Sequence, residues 1–191
     1  MSIPLVIAEF TGRYERMLRR FTFSTDKGPE CPGYEYGHDA SVITGTVGED
    51  EHERVHGDNW PHDDDRWPAA CERCGREFAD GDQWQRNDNR IFRLPDGTEF
   101  PMWGSFGRNA PPGTMVRADW HDAYSRHPGG AESWIISLPG GHEWVSTQRA
   151  SDGGYWTVSG TAPLLTVTPS ILCTGTNGWH GFVTNGELVD A

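Results

Sequence analysis

Apolar and polar residues alternate with a period of two over much of this chain, and turn residues interrupt the alternation at short intervals. That is the pattern of half-buried strands joined by tight turns. IPLVIAEF (3–10) reads as a strand. In RMLRRFTFST (16–25) the second half alternates and reads as a strand, while Met17 and Leu18 flanked by Arg make a short helix over 14–20 the competing reading. SVITGTV (41–47) is a short β-branched run. IFRL, the Asp96-Gly97 turn and TEF form a hairpin. SWIISL, the Gly140-Gly141 turn and HEWVST form another. GYWTVSG and LLTVTPSI are two further strands. HGFV, the Asn185-Gly186 turn and ELV close the chain as a last hairpin. The only other helix expected is short, over 119–127 with Asp119 as its cap. The reading is a mainly β fold: a small sandwich or barrel-like domain with an N-terminal zinc-knuckle region. A Gly/Pro connector over 101–113 separates an N-terminal part, 1–110, from a C-terminal part, 111–191. The two are expected to form one compact unit.

Composition adjusts this picture in two ways. At 191 residues, 35% hydrophobic content is low, but nine Trp and eight Phe bury enough area each to build a core. A net charge of −12 disfavours nucleic acid and anionic lipid, both of which call for Lys and Arg. The apolar run 3–8 is too short for a signal-peptide core or a membrane span. We therefore expect no nucleic-acid and no membrane partner. The acidic stretch 48–68 reads as a solvated loop anchored by Trp60 and Trp67, with Asp63, Asp64 and Asp65 as a contact for a cation or basic peptide.

The four cysteines point to a metal in a reducing compartment rather than to a disulfide frame. Cys71-x-x-Cys74 supplies two thiolates from one turn, and Gly75 fits that turn. Cys31, in a Cys-Pro-Gly turn, and His38 complete a tetrahedral structural zinc site, with His62 as rival fourth ligand. A second arrangement uses Cys31, His38, Cys173 and His180, since both Cys–His pairs are seven apart.

The stretch TVTPSILCTGTNGWHGFVTNGE (166–187) carries a different chemistry. Ser170 ends an apolar strand and His180 opens the next. A serine hydroxyl needs a neighbouring base, and imidazole serves near neutral pH. The loop 174–178 would offer backbone N–H donors to an oxyanion. Asp152, Asn177 and Asp190 are candidates to orient the imidazole. His142, beside Glu143, is an alternative base whose plainer reading is a hairpin turn residue.

CPGYEYGHDA, HDDDRWPAACERCGREF, DQWQ, SLPGGHEWV, RAS and LTVTPSI…GWHGFVTNGEL together resemble a family of uncharacterised proteins of actinobacterial phages. Shorter relatives of that family sit beside bacterial ubiquitin-like conjugation genes. The resemblance covers most of the chain after residue 30, and its sharpest marks are Pro-Ser-Ile at 169–171 and His180. It implies a serine peptidase acting through Ser170 and His180 on a protein or ubiquitin-like substrate, in the host cytoplasm or associated with the virion. Two departures stand out: Tyr34 where many relatives have a second Cys, and Gly181 after His180 where they have an aromatic, which implies a more open pocket. The alternative is a non-catalytic phage accessory or virion protein with a structural zinc site, docking a phage or host protein. A third reading makes His180 a ligand in a metal-dependent hydrolase.

Overall fold

The computed structural model describes residues 2–23, 31, 37–52, 55–57, 66–79, 81–118, 132–150 and 153–191. The expected helix over 119–127 lies outside them, as do Tyr34, Trp60, His62, Asp63, Asp64, Asp65 and Asp152. The fold is mainly β, as the alternation predicts. In chain order come β1 (Ser2–Pro4), β2 (Val6–Ile7), β3 (Glu9–Phe23), β4 (Gly37–Gly48), β5 (Val55–Gly57), β6 (Gln83–Arg93) and β7 (Glu99–Pro101). A four-residue helix α1 (Phe106–Asn109) precedes β8 (Thr114–Arg117), β9 (Trp134–Leu138) and β10 (His142–Val145). The chain ends with β11 (Thr157–Ser159), β12 (Thr166–Cys173), β13 (Trp179–Thr184) and β14 (Glu187–Asp190). Among the described residues no helix is long and apolar enough to cross a membrane.

These elements group into two compact units: Met1–Thr11 with Phe92–Ala191, and Gly12–Ile91. The grouping runs along other lines than a division at residue 110. The 101–113 connector lies inside the first unit, where it is stitched to β9: Gly113 N–H donates to Ser137 O at 2.8 Å and the Ser137 hydroxyl donates to Ala110 O at 2.9 Å.

In the first unit, one sheet has the order β1-β14-β13-β12-β11 and a second β10-β9-β8-β2. Alternation explains how β9 serves two cores at once. Trp134, Ile136 and Leu138 point to one side and pack with Met115, Trp144, Val167, Ile171, Val183 and Leu188. Ile135 points to the other, with Val116, Phe92, Phe100 and Phe106. A strand buried on both faces reads in sequence as an unbroken apolar run, as SWIISL does. Helix α1 sits close to β10: a Cβ added at Gly107 would run into the His142 carbonyl, so the packing requires glycine there.

The second unit is built on the sheet β4-β3-β6-β5. β3 is one continuous strand of 15 residues, and the rival helix over 14–20 is not formed. Its even positions share a face, which carries Tyr14, Arg16, Leu18 and Arg20. Two arginines on a buried face are tolerable only if paired. Arg16 grips Asp88 of β6 through Nε (2.8 Å) and Nη2 (2.7 Å). The Asp88 hydrogen bond, outweighing burial, raises the Arg16 pKa further. The Asp88 side chain is 0% exposed and that of Arg16 21%. Asp88→Ala is expected to cost about 2–3 kcal/mol, somewhat below the value for a fully buried pair because Arg16 keeps some contact with water. Urea unfolding of the variant checks this; a loss under about 0.5 kcal/mol would show the pair to be dispensable.

Candidate functional site

The Cys and His side chains named by the C-x-x-C spacing come together in the second unit. Residues 69–79 form a small hairpin. Phe78 N–H donates to Ala69 O at 2.9 Å, Cys71 N–H to Arg76 O at 2.8 Å, and Gly75 N–H to Cys71 O at 2.9 Å. Gly75 has φ +72°, a conformation that favours glycine, so the turn after Cys74 forms as the sequence suggests. This hairpin presents Cys71 and Cys74. It is tied to β4 by Glu72, whose N–H donates to Asp39 O at 3.2 Å and whose carboxylate accepts from Ser41 N–H at 2.7 Å. His38 is the second residue of β4, and Cys31 lies shortly before that strand.

One donor atom from each of Cys31, His38, Cys71 and Cys74 falls within 4.8 Å of all the others. Cys31 Sγ and Cys71 Sγ are 3.8 Å apart, and His38 Nδ1 is 3.2 Å from Cys74 Sγ. All four cysteines of the chain are free thiols. The spacing fits a metal well. With Zn–S near 2.3 Å and Zn–N near 2.0 Å, a tetrahedron has S···S edges of about 3.8 Å and N···S edges of about 3.5 Å. Cys31, His38 and Cys71 are buried and Cys74 is exposed. Phe78 and Ala40 form one small buried cluster with Cys31 and Cys71.

The two buried thiols differ in acidity. Burial, reinforced by Cys71 and Cys74, pushes Cys31 up to about 11. At Cys71 burial also acts upward, but hydrogen bonds from the backbone at Arg73, Cys74 and Asp39, with His38 adding to them, outweigh it and bring the thiol down to about 6. Two negative sulfurs at this separation repel; a divalent cation between them removes that conflict.

Of the rival ligands, His62 lies outside the described residues. Cys173 and His180 cannot serve one ion together. Cys173 packs against the apolar core, whereas His180 is exposed on the opposite face of the same sheet.

In the first unit, Ser170 and His180 do come within reach: Ser170 Oγ is 3.1 Å from His180 Nε2. Strand register explains why. β12 takes four steps from Val167 to Ile171 while β13 takes two from Val183 to Gly181, so a bulge carries residues 168–170. Beyond it Leu172 stands opposite His180, and Ser170 is on the same outer face. The surroundings are those of an open sheet face. Leu172 and Phe182 are exposed, the His180 ring lies 6.5 Å from that of Phe182, and Ser170 is half-buried.

None of the remaining parts expected around the pair that lie among the described residues is bonded to it. Asp190 accepts from the Trp179 indole N–H at 3.0 Å, which lowers its pKa. The backbone carbonyl of Asn177, not the side-chain amide, meets His142 Nε2 at 3.2 Å. Among the described residues no carboxylate bonds to the second ring nitrogen of His180. The loop 174–178 is the turn of the β12–β13 hairpin; Gly178 N–H is used within it on Gly175 O at 3.1 Å. Thr174 is four residues from Ser170, about 13 Å along a strand, too far to hold an oxyanion formed at that serine. His142 and Glu143 are structural: the Glu143 carboxylate accepts from Ser105 Oγ and Gly107 N–H, both at 3.2 Å. Nor does Gly181 open a pocket beside His180. It faces the other side of the sheet, where a Cβ would strike the Trp179 ring and the Val189 carbonyl. An open groove elsewhere in this unit, lined by Ile7, Phe10, Arg93 and Leu94 among others, includes neither Ser170 nor His180.

Sequence reasoning missed the residues that support the Cys/His cluster. Phe78 was visible as the aromatic closing CERCGREF. Arg20, whose partners lie 48 and 59 residues away, had no local signal. Compared with protein-family models, with curated proteins and with solved structures, the chain finds no match.

Proposed function

We propose that this chain is a zinc-stabilised β protein in which Cys31, His38, Cys71 and Cys74 hold one structural zinc ion. The observation that carries the reading is the convergence of four donor atoms within 4.8 Å in a site closed by three buried ligands. Four protein ligands leave no open position for substrate or water, which favours a structural over a catalytic metal. Among the described residues His180 belongs to no group of metal-ligating side chains, which weighs against a metal-dependent hydrolase built on it. Elemental analysis of protein purified from zinc-replete medium is expected to give one zinc per chain. A metal-free, folded preparation would end this reading.

A second reading rests on the 3.1 Å approach of Ser170 Oγ to His180 Nε2. On it, the protein is a serine hydrolase, a peptidase acting on a protein or ubiquitin-like substrate, with Ser170 as nucleophile and His180 as its base. An imidazole open to water, with neither an orienting carboxylate nor a formed oxyanion hole among the described residues, makes this the weaker of the two. A fluorophosphonate probe is expected to label the wild-type chain and not Ser170→Ala. Equal labelling of both, or none of either, sinks it. The protein then stands as a non-catalytic phage accessory or virion protein that docks a phage or host partner.

A further inference from the structure

We propose that Arg20 is the positioning residue of the metal centre: its guanidinium clamps the base of the 69–79 hairpin and so holds Cys71 and Cys74 at ligating distance before metal arrives. The proposal rests on the zinc reading and names a residue outside its ligand set.

Arg20 sits on the inward face of β3 and is 6% exposed, rare for a cation. Nη1 donates to Pro68 O at 3.2 Å and Nη2 to Ala79 O at 2.8 Å. Those two carbonyls flank the hairpin, one on each leg. The guanidinium carbon lies 5.2 Å from the centroid of Phe78, which belongs to the same buried cluster as Cys31 and Cys71. One side chain thus touches both legs and the aromatic ring of the cluster that holds Cys31 and Cys71. Ala79 is fixed a second time, because its N–H donates to the Asp82 carboxylate at 2.8 Å.

Chemistry makes this a task for arginine. A planar fork reaches two carbonyls at once and stacks on an aromatic ring; an ammonium is a single point and does neither together. Without the clamp, the legs keep their few backbone hydrogen bonds and the Arg76 and Ala79 contacts to Asp82, but lose the one group that reaches Pro68 and Ala79 together. Bringing two thiolates together then costs ordering entropy on metal binding, which appears as lost affinity. Partners outside the ligand set commonly change metal affinity by about 10- to 100-fold, and we expect Arg20 to fall in that range.

The test compares wild type, Arg20→Lys, Arg20→Met and the exposed control Arg93→Met, each as the full chain. Zinc affinity is read by competition with a chromogenic chelator, and the ligand set by the absorption spectrum of the cobalt-substituted protein. Both Arg20 variants are expected to lose about tenfold or more in zinc affinity. Their cobalt spectra are expected to keep the tetrahedral thiolate shape, and Arg93→Met is expected to match wild type. Should Arg20→Met fail to fold, the Lys variant decides alone. Affinity within twofold of wild type in the Lys variant overturns the proposal. A changed cobalt spectrum also overturns it, because a ligand would then have been lost rather than loosened. A wild-type chain that binds neither metal removes the zinc reading and this proposal together, whereas unequal metal content among the variants cannot arise that way.

Discussion

On the zinc reading proposed above, removing the ion from the Cys31–His38–Cys71–Cys74 group is expected to unfold much of the Gly12–Ile91 unit. Structural zinc contributes an apparent binding free energy of about 10–16 kcal/mol near neutral pH. A whole domain is typically stable by only about 5–15 kcal/mol. The site lies where such a loss would spread. It joins β4 to the 69–79 hairpin, and the apolar material around it is thin: Cys31, Ala40, Cys71 and Phe78 form the entire local cluster among the described residues. Without the ion, Cys31 and Cys71 would face each other at 3.8 Å with one of them readily ionised. Hydrogen exchange before and after chelation measures the outcome. Fast exchange is expected for the amides of Cys71, Gly75 and Phe78 and along β4. Unchanged protection after complete zinc removal would mean that the fold does not need its metal.

Trp144→Ala is expected to be the most damaging single substitution in the core of the first unit. The side chain is 1% exposed and sits among Ile136, Leu138, Val167 and Val183. It also meets Trp156 edge-on, with ring centroids 6.1 Å apart. Truncating a buried Trp costs about 3–5 kcal/mol through lost burial and the cavity left behind. For a chain of this size that lowers the melting temperature by about 6–20 °C. Leu172→Ala provides the contrast. Leu172 is 66% exposed, so its loss should stay within about 0.5 kcal/mol. Calorimetry with zinc in excess separates the two; similar shifts for both would mean that burial does not rank these positions.

The hairpins were legible because each combines two local signals, alternation and a turn dipeptide. Asp96-Gly97 and Asn185-Gly186 fall where strands reverse, with Asn185 at φ +47° and Gly186 at φ +81°. The C-x-x-C unit was legible for the same reason, being closed within a few residues. The ambiguous stretch was β3. Arg16, Arg19 and Arg20 around Met17 and Leu18 look like the polar flanks of a helix when their partners are unknown. Asp88 lies 72 residues from Arg16, and no pattern in a short window announces that a buried carboxylate is waiting for it. The Ser170–His180 approach was anticipated from neighbouring strands. The bulge that sets it and the open face around it follow from register, which spacing alone does not give.

The pairing of β1 with β14 sets Ser2 against Val189, Ile3 against Leu188 and Pro4 against Glu187. During translation, at about 5–20 residues per second, the first of these partners waits roughly 9–37 s for the last to be made. Residues 12–91, by contrast, are a continuous stretch of chain and leave the ribosome with all four residues of the Cys/His group. Assembly on the ribosome therefore has an order built into it: the inserted unit can close while the opening strand is still without its neighbour.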